Sequence, residues 1–246
     1  MRDFTGKRYW LIGASEGLGA ALATKLSRAG AEVIVSARNP DRLAEVVGGL
    51  PGKGEAVACD VSSRESLEAA AAHIGQIDGM VYLAGVYWPQ PAQAWDAAEV
   101  EAMCDINFTG CARAVGAVIG PMVERDEGHI VITGSLSGFR GLPGATGYGA
   151  SKAGTMWLAE GMYADLRKTG ITVQLANPGF IKTRLTDKND FNMPFLMTPE
   201  EAAHEMFELM CTDHFKKSFP RLFSWVFRVS QLMPDWIYYP LFSKKA

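Results

Sequence analysis

Six times along this chain a short apolar run gives way to a helical pattern, and few architectures accommodate that alternation. The runs fall at about 7–12, 31–38, 56–59, 80–85, 129–135 and 171–176. A helix between two strands is long enough to carry the chain back across a sheet, so successive strands lie parallel and the helices cover both faces. The expected fold is therefore α/β, a doubly wound parallel sheet of six to seven strands. At 246 residues the chain suits one domain, with 1–214 as its core and 215–246 as an aromatic, basic tail.

The first run is followed directly by Gly13-Ala-Ser15-Glu16-Gly17-Leu18-Gly19, and then by a helical pattern closed at Gly30. A glycine-rich turn between strand and helix lets the backbone approach a pyrophosphate and aims the helix N-terminus at it. The alternative is a tight turn with no ligand. The second run ends in Ser36-Ala37-Arg38, with Arg42 one turn into the next helix. An acidic residue at that point would hold a ribose 2′-hydroxyl. An arginine suits a 2′-phosphate through its charge and forked donors. NADP(H) is thus favoured over NAD(H), against the plainer reading of a solvated arginine. The fourth run leads into Val86-Tyr87-Trp88-Pro-Gln-Pro91, a loop at the strand end where open parallel sheets place ligands. Tyr87 and Trp88 either line that pocket or pack on a neighbour.

A second constellation spans Ser135 to Lys152. Tyr148 and Lys152 are four apart and share one helix face. Ser135 ends the fifth run, and the glycines and proline between them can fold the strand end back toward the helix start. A free tyrosine has a pKa near ~10, and a nearby ammonium lowers it by about 1–3 units. Reaching ~7 takes the top of that range, so a second positive charge is expected, and an oxidised nicotinamide would supply one. A serine hydroxyl can polarise a carbonyl while the tyrosine gives or takes its proton. This is apparatus for interconverting an alcohol and a ketone. Asn107 sits among apolar neighbours in a long helical stretch at about 99–124 and needs a partner or a task.

Composition narrows the partners. The formal net charge of −3 gives no electrostatic footprint for nucleic acid. Cys59, Cys104, Cys111 and Cys211 form no metal-like pattern with the four histidines, so no metal is expected, and a reduced, cytoplasmic setting fits. The start of the chain has no signal-peptide layout, and no uninterrupted apolar run is long enough for a bilayer.

In order and at the right separations, these stretches resemble the short-chain dehydrogenase/reductase family over about residues 5–212. The resemblance implies a Rossmann-like fold and a catalytic tetrad of Asn107, Ser135, Tyr148 and Lys152, with the usual thirteen residues from serine to tyrosine. It implies cofactor contacts at Gly13, Ser15, Glu16, Gly17, Leu18 and Gly19 in the turn. Asp60 and Val61 fall near the adenine, and Ala84-Gly85 match the end of an Asn-Asn-Ala-Gly motif. Pro178, Gly179 and Thr183 match the segment that holds the carboxamide. Lys152 would also bond the nicotinamide ribose beside Tyr148, and Asn107 would support a proton relay. Arg38 stands where members preferring NADP carry a basic residue. A homodimer or homotetramer is implied, paired through the helices of Asn107 and Tyr148.

Three departures stand out. Ile12 and Leu83 replace a hydrogen-bonding threonine and asparagine, and a packing contact between them is expected instead. The family's C-terminal Val-Asp-Gly-Gly is missing, which puts the last strand in doubt. The tail holds nine of 25 aromatic residues and six Lys/Arg against one Asp, formally +5, leaving −8 for the remainder. Leu222, Trp225, Val226, Val229 and Met233 fall at helical spacing. They form either a face packed on this domain or a second subunit, the favoured reading, or one lying on a membrane surface or acidic partner. Arg184–Met197, with Phe191, Met193, Phe195 and Leu196, reads as a substrate lid. Together with Phe139 and the tail it points to an apolar or bulky carbonyl substrate. The leading function is an NADP(H)-dependent carbonyl reductase or alcohol dehydrogenase. The alternatives are a catalytically silent NADP(H)-binding regulator and, disfavoured by length, a nucleotide-sugar epimerase or dehydratase.

Overall fold

The structure is a computed structural model that describes residues 2–188 and 192–242. Its strands are β1 (Arg8–Ile12), β2 (Glu32–Ser36), β3 (Gly54–Ala56), β4 (Gly79–Tyr82), β5 (Gly128–Thr133), β6 (Ile171–Pro178) and β7 (Lys216–Phe219). The helices are α1 (Gly17–Arg28), α2 (Pro40–Gly48), α3 (Arg64–Ile74), α4 (Ala97–Cys104), α5 (Gly110–Glu124), α6 (Thr146–Leu166), α7 (Pro199–Met210), α8 (Arg221–Ser230) and α9 (Asp235–Phe242). The strands form one parallel sheet in the order β3-β2-β1-β4-β5-β6-β7.

Period-two alternation along each strand builds two cores. Trp10, Ile12, Ile34, Ile130 and Ile132 face α3, α5 and α6, whose Leu67, Ala70, Cys111, Ala114, Met156 and Ala159 complete one layer. Tyr9, Leu11, Val33, Val35 and Val131 face the other way, onto Leu22 and Leu26 of α1, Leu43 of α2 and Ala202 and Met206 of α7. Helix starts carry the side-chain caps their sequences encode. Asn39, Ser63 and Asp96 each accept from a first-turn N–H, and Thr198 with Glu201 forms a capping box.

Four expectations need correction. The last strand forms without the Val-Asp-Gly-Gly motif. Its ladder with β6, from Leu175 opposite Lys216 to Pro178 opposite Phe219, uses backbone groups that any residue supplies. Ile12 and Leu83 do meet, but through the main chain: Leu83 N–H donates to Ile12 O at 2.8 Å. Their side chains belong to opposite cores, so no packing contact replaces the lost hydrogen bond. The stretch expected as one helix is α4 and α5 joined by a π-helical turn over Asp105–Thr109. Finally, Ala97–Glu124 is by length and composition alone apolar enough to cross a membrane. It packs as a core helix, through Cys111, Ala114, Val118 and Met122.

The strand order reverses between β1 and β4, and there the connections leave the strand ends in opposite directions. The crevice this opens, at the C-terminal ends of the strands, is where the candidate residues gather.

Candidate active site

The glycine turn is built from backbone. Gly13 N–H and Ala14 N–H both donate to Ser36 O, at 2.7 and 3.2 Å, which fixes the turn to the end of β2. A Cβ on Gly13 would stand 2.4 Å from Ala84 N, and one on Gly19 would stand 2.4 Å from Gly13 O. Those two glycines are required by close packing of turn, strand and helix. Gly17 differs. Its φ is +54°, and a Cβ there would meet only the Thr183 methyl, at 3.1 Å. Its open side faces the cleft.

That cleft has a volume of about 2200 Å³, room for a dinucleotide and a second molecule together. The turn residues Gly13, Ser15, Glu16, Gly17, Leu18 and Gly19 line one end of it. Arg38, Asp60, Val61, Ala84 and Gly85 continue the wall, and Ser135, Tyr148, Lys152, Pro178, Gly179 and Thr183 line the rest. Of the catalytic and cofactor-binding candidates named from sequence, Asn107 alone is not on the wall. It lies fully buried behind it.

The tetrad positions converge. Ser135 follows β5 in extended backbone, its hydroxyl accepting from Ser137 N–H at 3.1 Å. Tyr148 lines the same wall of the cleft as Ser135, and the serine hydroxyl acts to lower its pKa. Lys152, one turn along α6, is buried with Nζ 5.9 Å from the Tyr148 ring centroid, and it donates to Thr133 O at 2.9 Å. Asn107 sits on the π turn, a local widening of the helix that recurs at functional sites. Its Oδ1 accepts from Val86 N–H at 2.7 Å, and its Nδ2 donates to Val86 O at 3.0 Å and Ser151 Oγ at 2.9 Å. The asparagine thus pins the β4 exit loop to α6. Thr155 Oγ1 donates to Asn107 O at 3.0 Å.

Electrostatics depart from the sequence expectation. Burial pushes the Tyr148 phenol up to about 12, with the Ser135 hydroxyl opposing and Tyr87 adding to the rise. Burial brings the Lys152 ammonium down to about 8. Burial dominates both shifts, and Lys152 gives its hydrogen bond to Thr133 O rather than to the phenol. Without a further cation the tyrosine is a phenol, not a phenolate.

Sequence reasoning missed several neighbours. Glu16 is an ion-pair hub: its carboxylate accepts from Arg42 at 3.2 Å and from Arg184 Nε at 2.7 Å, tying turn, α2 and lid together. Lys188 donates to Tyr87 O at 2.8 Å and lies 4.2 Å over the Trp88 ring, so Trp88 packs against the lid while Tyr87 lines the cleft. The lid's ends are pinched: Lys182 N–H donates to Met197 O and Met197 N–H to Phe180 O, at 2.8 and 3.0 Å. Phe191 lies outside the described residues. Phe139 packs against the core on the α6 side and is not on the cleft wall.

The apolar end of the cleft comes from the tail. Phe223 stacks on Phe195 of the lid at 5.6 Å and lies 5.8 Å from Phe180, and Val226, Phe227 and Phe242 also line the space. Arg140, five residues after Ser135, latches the tail down. It donates to Met233 O at 2.6 Å, to Ser230 O and to Asp235, and its guanidinium lies 4.0 Å over the buried Tyr238 ring. Tyr238 in turn donates to Gly141 O at 2.8 Å. A lone arginine in a glycine-rich loop gave no sequence signal for these partners, 90 or more residues away.

Comparison with known proteins agrees with this arrangement. The sequence profile of the family described as short chain dehydrogenase matches residues 7–193. An uncharacterized oxidoreductase of Myxococcus xanthus is 35% identical over 253 aligned positions, covering 100% of this chain and 98% of its own length. A short-chain dehydrogenase from Streptomyces avermitilis superposes with a TM-score of 0.84 over 93% of each chain, at 24% identity. A variant of an actinorhodin polyketide ketoreductase, solved with NADPH, superposes at 0.77 over 83% of this chain and 90% of its own, at 26% identity.

Proposed function

This chain belongs to the short-chain dehydrogenase family, and on that premise we propose that it is an NADP(H)-dependent reductase of ketones or aldehydes, running in reverse as an alcohol dehydrogenase. One observation carries the reading: Ser135, Tyr148 and the buried Lys152, its Nζ 5.9 Å from the tyrosine ring, line the same cleft as an open glycine turn. The fit to a dinucleotide rests on that turn. Gly17 presents bare backbone to the cleft, and Arg38 and Arg42 stand at the wall where a 2′-phosphate would lie. When bound, the reduced nicotinamide supplies hydride to the carbonyl carbon.

The protein's own groups do the rest. Ser135 Oγ holds the carbonyl oxygen, and Tyr148 Oη donates the proton that the developing alkoxide takes up. A phenol held near 12 by burial is in the protonated form this step requires at neutral pH. Lys152 stabilises the phenolate left behind, at the moment a charge appears where none was. Asn107 fixes the Val86 loop and α6 relative to each other, and with them the wall on which the substrate rests. The apolar end built from Phe180, Phe195, Phe223 and Phe227 favours a bulky, lipophilic carbonyl compound. Trp157, 78% exposed on α6, supports pairing of that helix across a subunit interface.

The test is a screen of ketones and aldehydes with NADPH and with NADH, following oxidation of the coenzyme. Turnover with NADPH preferred is expected, and Tyr148→Phe should lose about 10²–10⁴-fold in kcat while still binding NADPH. A preference for NADH would remove the Arg38 assignment. NADPH binding without turnover of any carbonyl would instead identify a silent regulator.

A further inference from the structure

Helix α8 is apolar on two sides. Phe223 and Phe227 turn toward the cleft, and Ser224 and Ser230, not apolar residues, take the buried positions. The opposite side faces solvent: Leu222 is 70% exposed, Trp225 52% and Val229 44%. Past the helix, Leu232 is 85% exposed, Trp236 76% and Leu241 67%. A surface helix ordinarily turns its apolar stripe inward. So many large apolar side chains left exposed within twenty residues mark a surface that meets something.

The segment is not a loose end. Arg140 holds Ser230 O, Met233 O and Asp235, Tyr238 is buried beneath it, and Gln231 donates to Phe139 O at 3.2 Å. The exposed face is therefore displayed in fixed geometry from the wall of the cleft.

Charge identifies the occupant. Between Pro220 and Phe242 the one carboxylate is Asp235, and Arg140 neutralises it. Arg221 and Arg228 have no carboxylate partner among the described residues, and Arg228 lies 5.7 Å over the Trp225 ring. A second copy meeting this face through a two-fold axis would bring four arginines into one interface with no free carboxylate to pair them, since Arg140 holds Asp235. Leucine and tryptophan flanked by unpaired arginines instead match the interface of an anionic bilayer, where indole rings sit among head groups and cations meet phosphate. Val226 belongs to both surfaces: it is 47% exposed and it lines the cleft.

We propose that the C-terminal segment docks this face on an anionic phospholipid surface, so that the apolar end of the cleft opens toward the membrane. Its substrate is then a lipophilic carbonyl compound or alcohol dissolved in the lipid. The docking stands on the exposed face alone, and the substrate class also rests on the redox reading above.

The experiment is co-sedimentation of the full chain with vesicles of phosphatidylcholine, with and without phosphatidylglycerol. Binding to the anionic vesicles, weakened by salt, is expected. Arg221→Gln with Arg228→Gln should weaken it about fivefold per arginine, about 25-fold together. Trp225→Ser with Trp236→Ser should abolish it, and both pairs are exposed, so folding is retained and checked by circular dichroism. NADPH oxidation with a water-soluble ketone should not change in either variant. Sedimentation with neither vesicle would overturn the docking. So would a dimer in analytical ultracentrifugation that dissociates on the tryptophan substitutions and leaves vesicle binding undetected. Vesicle binding by a protein that reduces no carbonyl would leave the docking in place and remove the redox reading and the substrate class.

Discussion

Adding a single methyl group to either of two glycines in one turn should strike different properties: stability at Gly13, and cofactor binding at Gly17. Gly13 has φ +92°, and an added Cβ would stand 2.4 Å from Ala84 N and 2.6 Å from Ala84 Cα. Neither atom can yield without moving the exit of β4, which is laddered to β1 from Tyr9 to Ile12. Overpacking against backbone costs about 3 kcal/mol or more, so Gly13→Ala should lower Tm by roughly 6–12 °C or prevent folding. Gly17 has φ +54°, inside the left-handed region, and the methyl would touch only Thr183 Cγ2 at 3.1 Å. An alanine there costs about 1–2 kcal/mol in backbone conformation, and a stiffer unfolded chain offsets about 0.4–1 of it. A net loss near ~1 kcal/mol is a Tm shift of about 2–4 °C for a chain of this size. The open side of Gly17 is, however, where a pyrophosphate would meet the turn. Gly17→Ala should therefore fold and yet bind NADPH at least about tenfold more weakly, because the methyl holds the phosphate off the N–H groups. Thermal unfolding without nucleotide and fluorescence titration with NADPH read the two effects separately. If Gly17→Ala bound NADPH as the parent does, or Gly13→Ala were as stable as the parent, the division of roles would be wrong.

Two further outcomes follow from buried and bridged charges. His129 is buried with Nε2 donating to Gln174 Oε1 at 2.9 Å and Nδ1 2.8 Å from Tyr9 Oη, and burial brings its pKa from 6.5 down to about 3. The unfolded chain binds the proton that the folded chain refuses, so stability falls as pH drops through the window from about 6.5 to 3. Between pH 7.5 and pH 5 the loss should be ~2 kcal/mol by urea unfolding, and His129→Gln should remove that part of the slope. An unchanged slope would show that His129 is not the group responsible. Glu16 competes with any phosphate for Arg42, so Glu16→Gln should raise the ratio of NADPH to NADH affinity. Stability should change by less than ~1 kcal/mol, since both of its ion pairs are partly exposed. A fall in that ratio would mean that the carboxylate positions Arg42 instead.

What the sequence revealed and what it hid divide along a physical line. The strand–helix alternation and the glycine turn were legible because each is local backbone chemistry, and so were the helix starts at Ser63 and Thr198. The gathering of Ser135, Tyr148 and Lys152 was legible because strand end and helix face set it within eighteen residues. The π turn at Asn107 was not, since the partners that Asn107 holds there, Val86, Ser151 and Thr155, lie 21 to 48 residues away. Nor was the direction of the Tyr148 pKa, which depends on burial that no spacing reports. Strand β7 was doubted on side-chain identity although its pairing needs none. The periodic apolar stripe of α8 was legible as a helix face, but the Arg140 contacts that hold the segment after it in place were not, because they bridge about ninety residues.

The pinch at the base of the lid has a consequence for how such a chain can diversify. Ile181 and Met197 already meet as a paired bridge, so the residues between them leave and return at one point of the scaffold. Closing a longer loop from a point already closed adds only about 0.6 kcal/mol for each doubling of its length. The loop between them can therefore be exchanged for another of different size and chemistry while sheet, glycine turn and tyrosine stay where they are. A grafting experiment that transplants this one segment from a relative should carry substrate preference with it and leave the melting temperature nearly untouched.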